Sequence, residues 1–186
     1  MSEQEWSSDF GDKYHARNRV DWRKRIKFWQ QILDLTGARS VWEWGCGPGW
    51  NLSAIKAGAD WPVEVYGTEC NESAVEQALS AGLNVIYVPG PGETFELVCT
   101  VGALIHVDPE TVQDVMRMLV DHSSDYVLCV EYESTDVRPI EYRGRENMLW
   151  AQPFARMYES MGLKMVMQAD AGEGFDDCTA TLLRKP

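Results

Sequence analysis

Apolar residues recur along this chain with two different periods. In WRKRIKFWQQILDL (22–35), Trp22, Ile26, Trp29, Ile32 and Leu33 fall at helical spacing, and Gly37 ends the pattern. Short apolar runs then alternate with amphipathic stretches. SVWEW (40–44) reads as a first strand, β1, followed by the glycine-rich GCGPG and a helix over Trp50 to Ala57. VEVYGTE (63–69) reads as β2, NESAVEQALSAG as a helix closed by Gly82, NVIYV (84–88) as β3, and FELVCTVGAL (95–104) holds β4. PETVQDVMRMLVDH is a helix with Pro109 near its first turn, and DYVLCVEY (125–132) is β5.

Strands that alternate with helices predict a parallel sheet covered on both faces. Right-handed crossovers narrow this to a doubly wound, Rossmann-like α/β form. A helix over 152–161 and strands over 163–169 and 178–184 complete the pattern. Gly172 and Gly174 separate those two strands, which therefore pair as a hairpin. The expected sheet has seven strands, mostly parallel, with the last one antiparallel. The PGPGET connection between β3 and β4 is too short for a helix and must cross as a bare loop.

At 186 residues and 45% hydrophobic content the chain suits one domain, 1–186. Within it, 1–37 is an N-terminal lid and helix, 38–132 a ligand-binding core, and 133–186 a loop and C-terminal hairpin. No apolar run approaches the roughly 18 residues that span a bilayer, and the N-terminus lacks a signal-peptide core. A cytoplasmic protein with no membrane role is expected. Five widely spaced cysteines without a CxxC argue against disulfides or a zinc site and for a reducing compartment.

The net charge of -12 argues against a nucleic-acid partner. It is also uneven. Residues 1–40 carry 8 basic and 6 acidic side chains, 41–130 carry 2 and 13, and 131–186 carry 7 and 10. This is either a solvated acidic surface or two basic ends that hold an anionic ligand near a site built by the middle.

The most informative segment is Glu43-Trp44-Gly45-Cys46-Gly47-Pro48-Gly49, where β1 gives way to a helix. A dinucleotide site needs G-x-G-x-x-G, but Trp50 stands at the third position. Glu43, two residues before the first glycine, would repel a pyrophosphate and suits a cationic ligand end. Glu69, 20 residues after Gly49 at the end of β2, can take both hydroxyls of a ribose. An ammonium and a ribose without phosphates describe S-adenosyl-L-methionine.

In these residues the chain resembles the class I S-adenosylmethionine-dependent methyltransferases. Their acid-x-G-x-G-x-G motif is matched by Glu43, Gly45, Gly47 and Gly49, their ribose acid by Glu69, and their β4 motif by FELVCTVGALIHV (95–107). A closer resemblance is to the methylases associated with pseudaminic acid biosynthesis. It rests on WSSDFGDKYHARN (6–18), GALIHV (102–107), EYESTDVRPIEYRGRENMLWAQPFA (131–155) and GFDDCTATLLRK (174–185). The resemblance implies methyl transfer, and the expected acceptor is a small, anionic molecule such as a sugar or sugar nucleotide. A non-catalytic cofactor-binding module and a protein methyltransferase are the alternatives.

Cys46, Asn51 and Cys70 join the glycines and acids as cofactor-binding candidates, and Thr100, Val101 and Gly102 contact the cofactor or pack the core. His106, after β4, is either a base or a structural side chain. Glu131 and Tyr132, at the end of β5, serve as base or acceptor ligand, or make structural hydrogen bonds. Arg138, Tyr142, Arg143 and Arg145 form a cationic loop suited to an anionic acceptor or to surface ion pairs. Residues 1–19 either dock on the core or act as a lid whose Tyr14 and Arg19 reach the cofactor carboxylate.

Overall fold

The computed structural model describes residues 6–85, 88–142 and 144–186, with the backbone alone at 145–147. Seven strands form one sheet: β1 (Ser40–Trp44), β2 (Glu64–Thr68), β3 (Asn84–Val85), β4 (Phe95–Val101), β5 (Ser123–Glu131), β8 (Lys164–Asp170) and β9 (Thr179–Arg184). Their spatial order is β3-β2-β1-β4-β5-β9-β8. β1 pairs in parallel with β2 and β4, placing Glu43 beside Gly67 and Cys99. β9 runs antiparallel between β5 and β8. The expected architecture is therefore the observed one. Of the expected β3 run, residues 86 and 87 lie outside the described residues, and 88–94 cross to β4 without a helix.

Two apolar layers hold the sheet, because successive strand residues point to opposite faces. Val41, Leu97 and Cys99 face one side with Trp29, Ile32, Leu52 and Ile55. Trp42 and Val98 face the other with Met116, Leu119, Phe154 and Tyr158. The covering helices are α2 (Ile26–Thr36) and α3 (Trp50–Gly58) on the first side, and α5 (Val112–Asp121) and α6 (Phe154–Ser160) on the second. α4 (Glu72–Ser80) follows β2 and is capped by Asn71, whose Oδ1 accepts from Ala74 N at 2.9 Å.

Three expectations are corrected. The N-terminal segment carries a helix, α1 (Asp9–Arg17), where only a lid or docking arm was expected; the Ser8 side chain accepts from Phe10 N and starts it. The helix expected from residue 22 opens as a 3₁₀ turn, Trp22–Arg25, capped by Asp21, before α2 begins. The expected cationic loop belongs to a separate antiparallel hairpin, β6 (Arg138–Tyr142) and β7 (Arg145–Ala151), which shares no strand with the main sheet.

Candidate functional site

A cavity of about 480 Å³ opens where β1, β4 and β5 end. This is the usual ligand edge of an open α/β sheet.

The glycine loop makes one wall. Gly45, Gly47 and Gly49 have φ of 72°, 52° and 78°, a region costly to other residues. At Gly49 a Cβ would also lie 2.2 Å from Leu83 Cδ1, so this glycine lets α3 start close against the next crossover. Gly45 N and Cys46 N both donate to Thr68 O, at 2.9 and 3.0 Å, which staples the loop to β2. Glu69 completes the turn. Its Oε2 accepts from Gly47 N at 2.8 Å, and its Oε1 accepts from Cys70 N and Asn71 N at 2.8 and 2.9 Å. A carboxylate has about four acceptor positions, so Glu69 ties the loop to α4 and keeps one for a ligand.

The floor is a buried polar chain. Glu43 is 1% exposed. Asn51, in the first turn of α3, donates through Nδ2 to Glu43 Oε1 at 2.6 Å. Its Oδ1 accepts from Arg25 Nη1 at 2.8 Å and Trp29 Nε1 at 3.3 Å. Arg25 also donates through Nε to Gly174 O at 2.8 Å and lies 4.4 Å over the Phe175 ring. Glu43 Oε2 is buried with no hydrogen-bond partner among the described residues. Burial pushes the Glu43 carboxyl up to about 8, against the opposing pull of Asn51 and Arg25. Burial likewise lowers Arg25, with Glu43 partly offsetting it.

The opposite end is aromatic. Val101, Gly102 and His106 line it from the end of β4 onward, with Tyr132 from beyond β5 and Tyr142 from β6. His106 Nδ1 lies 3.3 Å from Met148 O. A carbonyl only accepts, so Nδ1 carries the proton in this contact and Nε2 is the basic nitrogen. Burial lowers His106 to about 4, leaving it neutral at pH 7. Tyr14 lies edge-on to His106 at 6.0 Å, and burial raises its hydroxyl to about 12. Burial and then Asp176 raise Tyr132.

Several candidates stand elsewhere. Glu131 is absent from the cavity wall. Its Oε1 accepts from Ala103 N and Leu104 N, both at 3.1 Å, and its Oε2 from Ile105 N at 3.2 Å. It holds the turn that carries His106, and burial raises it to about 7 against those hydrogen bonds. Thr100 is buried in β4 and does not line the cavity. Arg19 and Arg138 are exposed and also outside it. Tyr142 Oη accepts from Arg17 Nη2 at 3.5 Å. Arg143 and the side chain of Arg145 lie outside the described residues. Cys46, Asn51 and Cys70 line the cavity, whereas Gly49 acts through packing. No group of three metal-ligating side chains occurs among the described residues, and none of their helices is long and apolar enough to cross a membrane.

Sequence reasoning missed Arg25 and Trp6. Arg25 was hidden in the WRKR run, yet it sits three residues after Trp22 and four before Trp29, on the buried stripe of the helix. Trp6 is not marked by any motif spacing.

The strand order with antiparallel β9, and a glycine loop closing β1, define the class I methyltransferase fold. The CcbJ methyltransferase of Streptomyces caelestis superposes with a TM-score of 0.72 at 16% identity, over 100% of this chain and 99% of its own. A sugar N-methyltransferase from Streptoalloteichus sp. gives 0.69 at 14% identity, over 97% and 94%. The magnesium protoporphyrin IX methyltransferase of Synechocystis, with bound SAM, gives 0.67 at 14%, over 99% and 95%. At these identities the likeness is one of fold. No protein-family model and no curated protein matches the sequence.

Proposed function

We propose that this protein transfers a methyl group from S-adenosylmethionine to a small-molecule acceptor. The observation that carries this reading is Glu43 Oε2, a buried acceptor without a partner at the foot of the glycine loop. Such a group is costly unless a ligand satisfies it. With Arg25 two hydrogen bonds away through Asn51, the floor gives the ammonium of an amino-acid tail a carboxyl that can ionise against it. The remaining acceptor position of Glu69 suits a ribose hydroxyl. Val88 and Val101 give the cavity apolar surface for a base. A pyrophosphate would meet Glu43 and Glu69 and no uncommitted cation on the described walls.

S-adenosylmethionine supplies an electrophilic methyl group on its sulfonium. The chain's work is to hold the acceptor atom, the methyl carbon and the sulfur in line. The Glu131-bound turn sets His106 at the acceptor end, where neutral Nε2 accepts the proton that an O–H or N–H nucleophile releases. Tyr132 and Tyr14 stay protonated and act as hydrogen-bond donors. The acceptor is a sugar or sugar nucleotide on this reading. It draws on the resemblance of segments 102–107 and 131–155, which supply His106 and the β6–β7 hairpin, to the nonulosonic acid methylases.

Titration calorimetry with S-adenosylmethionine, S-adenosylhomocysteine and NAD is the first test. The two sulfur compounds should bind and NAD should not. Methyl-labelled cofactor incubated with fractionated small-molecule extract should then label one fraction. NAD binding would overturn the cofactor assignment, and tight binding without turnover in any fraction would make the protein a non-catalytic binding module.

A further inference from the structure

Trp6 lies just before α1, yet its side chain is a wall of the cavity. Its position is built by the fold. Asn71 Nδ2 donates to Trp6 O at 3.2 Å and to Asp12 Oδ1 at 2.9 Å, pinning both ends of the turn to the cap of α4. Gly11 makes room for that turn: a Cβ there would fall 2.0 Å from Trp6 O. The indole then reaches across to the turn after β4, with its ring centre 4.6 Å from that of His106 and 4.9 Å from that of Tyr14.

The geometry of these contacts is informative. Phe10, Tyr14 and His106 meet Trp6 at interplanar angles of 77°, 85° and 70°. Every ring contact recorded for Trp6 is edge-on, so among the described residues no ring is stacked parallel to the indole. Offset stacking is the other favoured geometry for an aromatic pair, and the cavity is where such a partner would enter. The described walls hold one cationic side chain, Arg25, and its guanidinium is already committed to Asn51, Gly174 and Phe175. Recognition by charge therefore has little to work with at this end, while recognition by ring surface has five aromatic side chains: Trp6, Tyr14, His106, Tyr132 and Tyr142.

We propose that Trp6 is a specificity-determining residue whose indole packs against the ring face of the methyl acceptor, so that the acceptor is chosen by its uncharged ring surface. The inference rests on the methyltransferase reading above. The ring face can belong to a pyranose, through its axial C–H groups, or to a planar heterocycle.

Saturation-transfer NMR on the S-adenosylhomocysteine-saturated protein tests this with three probes: methyl β-glucopyranoside, indole and the acyclic anion malate. At least one ring probe should bind, and which one does so identifies the source of the ring face. Trp6→Leu, which keeps apolar bulk, should weaken that probe at least tenfold, whereas Trp6→Phe should stay within threefold. The affinity for S-adenosylhomocysteine should stay within threefold in both. Gly11→Ala should reproduce the Leu phenotype by displacing Trp6 without removing it, which keeps the test open if Trp6→Leu folds poorly. Failure of both ring probes to bind, with or without malate binding, or ring-probe affinity unchanged in Trp6→Leu, would overturn the proposal. The pyranoside arm is repeated without S-adenosylhomocysteine. If that compound fails to bind wild-type protein, the methyltransferase reading falls, while the effect of Trp6→Leu on the pyranoside still decides the role of Trp6.

Discussion

Replacing Glu43 by Gln should make the protein more stable and less able to bind S-adenosylhomocysteine. The substitution keeps the shape of the side chain. Asn51 Nδ2 can still donate to the amide oxygen, and an unpartnered carboxyl O–H is exchanged for an unpartnered amide NH2, two penalties that roughly cancel. What changes is the coupling to pH. In the folded protein Glu43 titrates at about 8, against 4.5 when unburied. Between these values the folded state holds a proton that the unfolded state has lost, so wild-type stability falls as pH rises, by up to about 1.4 kcal/mol per unit. From 4.5 to 7 this amounts to about 3 kcal/mol, which the Gln variant does not lose. A domain of this size shifts by about 2–4 °C per kcal/mol, so Glu43→Gln should melt about 6–12 °C higher at pH 7 and match wild type near pH 4.5. Urea unfolding of both proteins from pH 4.5 to 8 gives the difference curve, in which the other titrating groups cancel. A variant less stable than wild type at pH 7, or a difference that does not change with pH, would mean that Glu43 is ionised and stabilised through Asn51 by Arg25, and the burial argument would fail. Affinity for S-adenosylhomocysteine should fall about ten- to a hundredfold in the variant, because the carboxyl can give up its proton to form a charge-assisted hydrogen bond with the ammonium and the amide cannot.

Three further outcomes are expected. Glu69→Ala should weaken S-adenosylhomocysteine by about 1–3 kcal/mol in calorimetry, and unchanged affinity would remove Glu69 from the ribose site. His106 titrates at about 4 when folded against 6.5 when free, so the folded state binds fewer protons between these values and stability should fall as pH drops from 6.5 to 4; His106→Gln should flatten that limb of the urea midpoint, and an unaltered limb would assign it to other groups such as His15. Deleting residues 1–19 should leave a cooperative thermal transition, because Gly11 is the only buried residue described among 6–19, but should weaken cofactor binding at least tenfold, since His15 lies over Gly47 and Asp12 holds Asn71; a truncated chain that binds normally would reduce the segment to a docking arm.

The sheet was legible in the chain because its central strands are buried on both faces and therefore read as continuous apolar runs, as in Val127 to Val130. The β6–β7 hairpin was not. Pro139 and the charged residues around it look like loop, and a proline is tolerated there because the two-stranded ladder has open edges. Glu43, Glu69 and the three glycines were legible because their roles depend on local spacing along one strand-turn-helix unit. Glu131 was legible as either a base or acceptor ligand or a structural hydrogen-bonding group, but its partners were not, since its three donors come from an irregular turn 26 to 28 residues earlier, which no periodicity can orient. Arg25 was passed over for a related reason. A run of basic residues resembles a solvated face, and only the packing of the 3₁₀ turn before α2 reveals that one of them turns inward.

The β6–β7 ladder leaves the main sheet after β5 and returns to it before α6, touching the Glu131-bound turn through the contact of Met148 O with His106. None of its strands takes part in the register of the seven-stranded sheet. Mutations can therefore lengthen it, shorten it or recolour its inner surface without shifting any strand that holds Glu43 or Glu69. On the methyltransferase reading, change confined to this appendage would redirect the choice of acceptor while the donor-side residues keep their places.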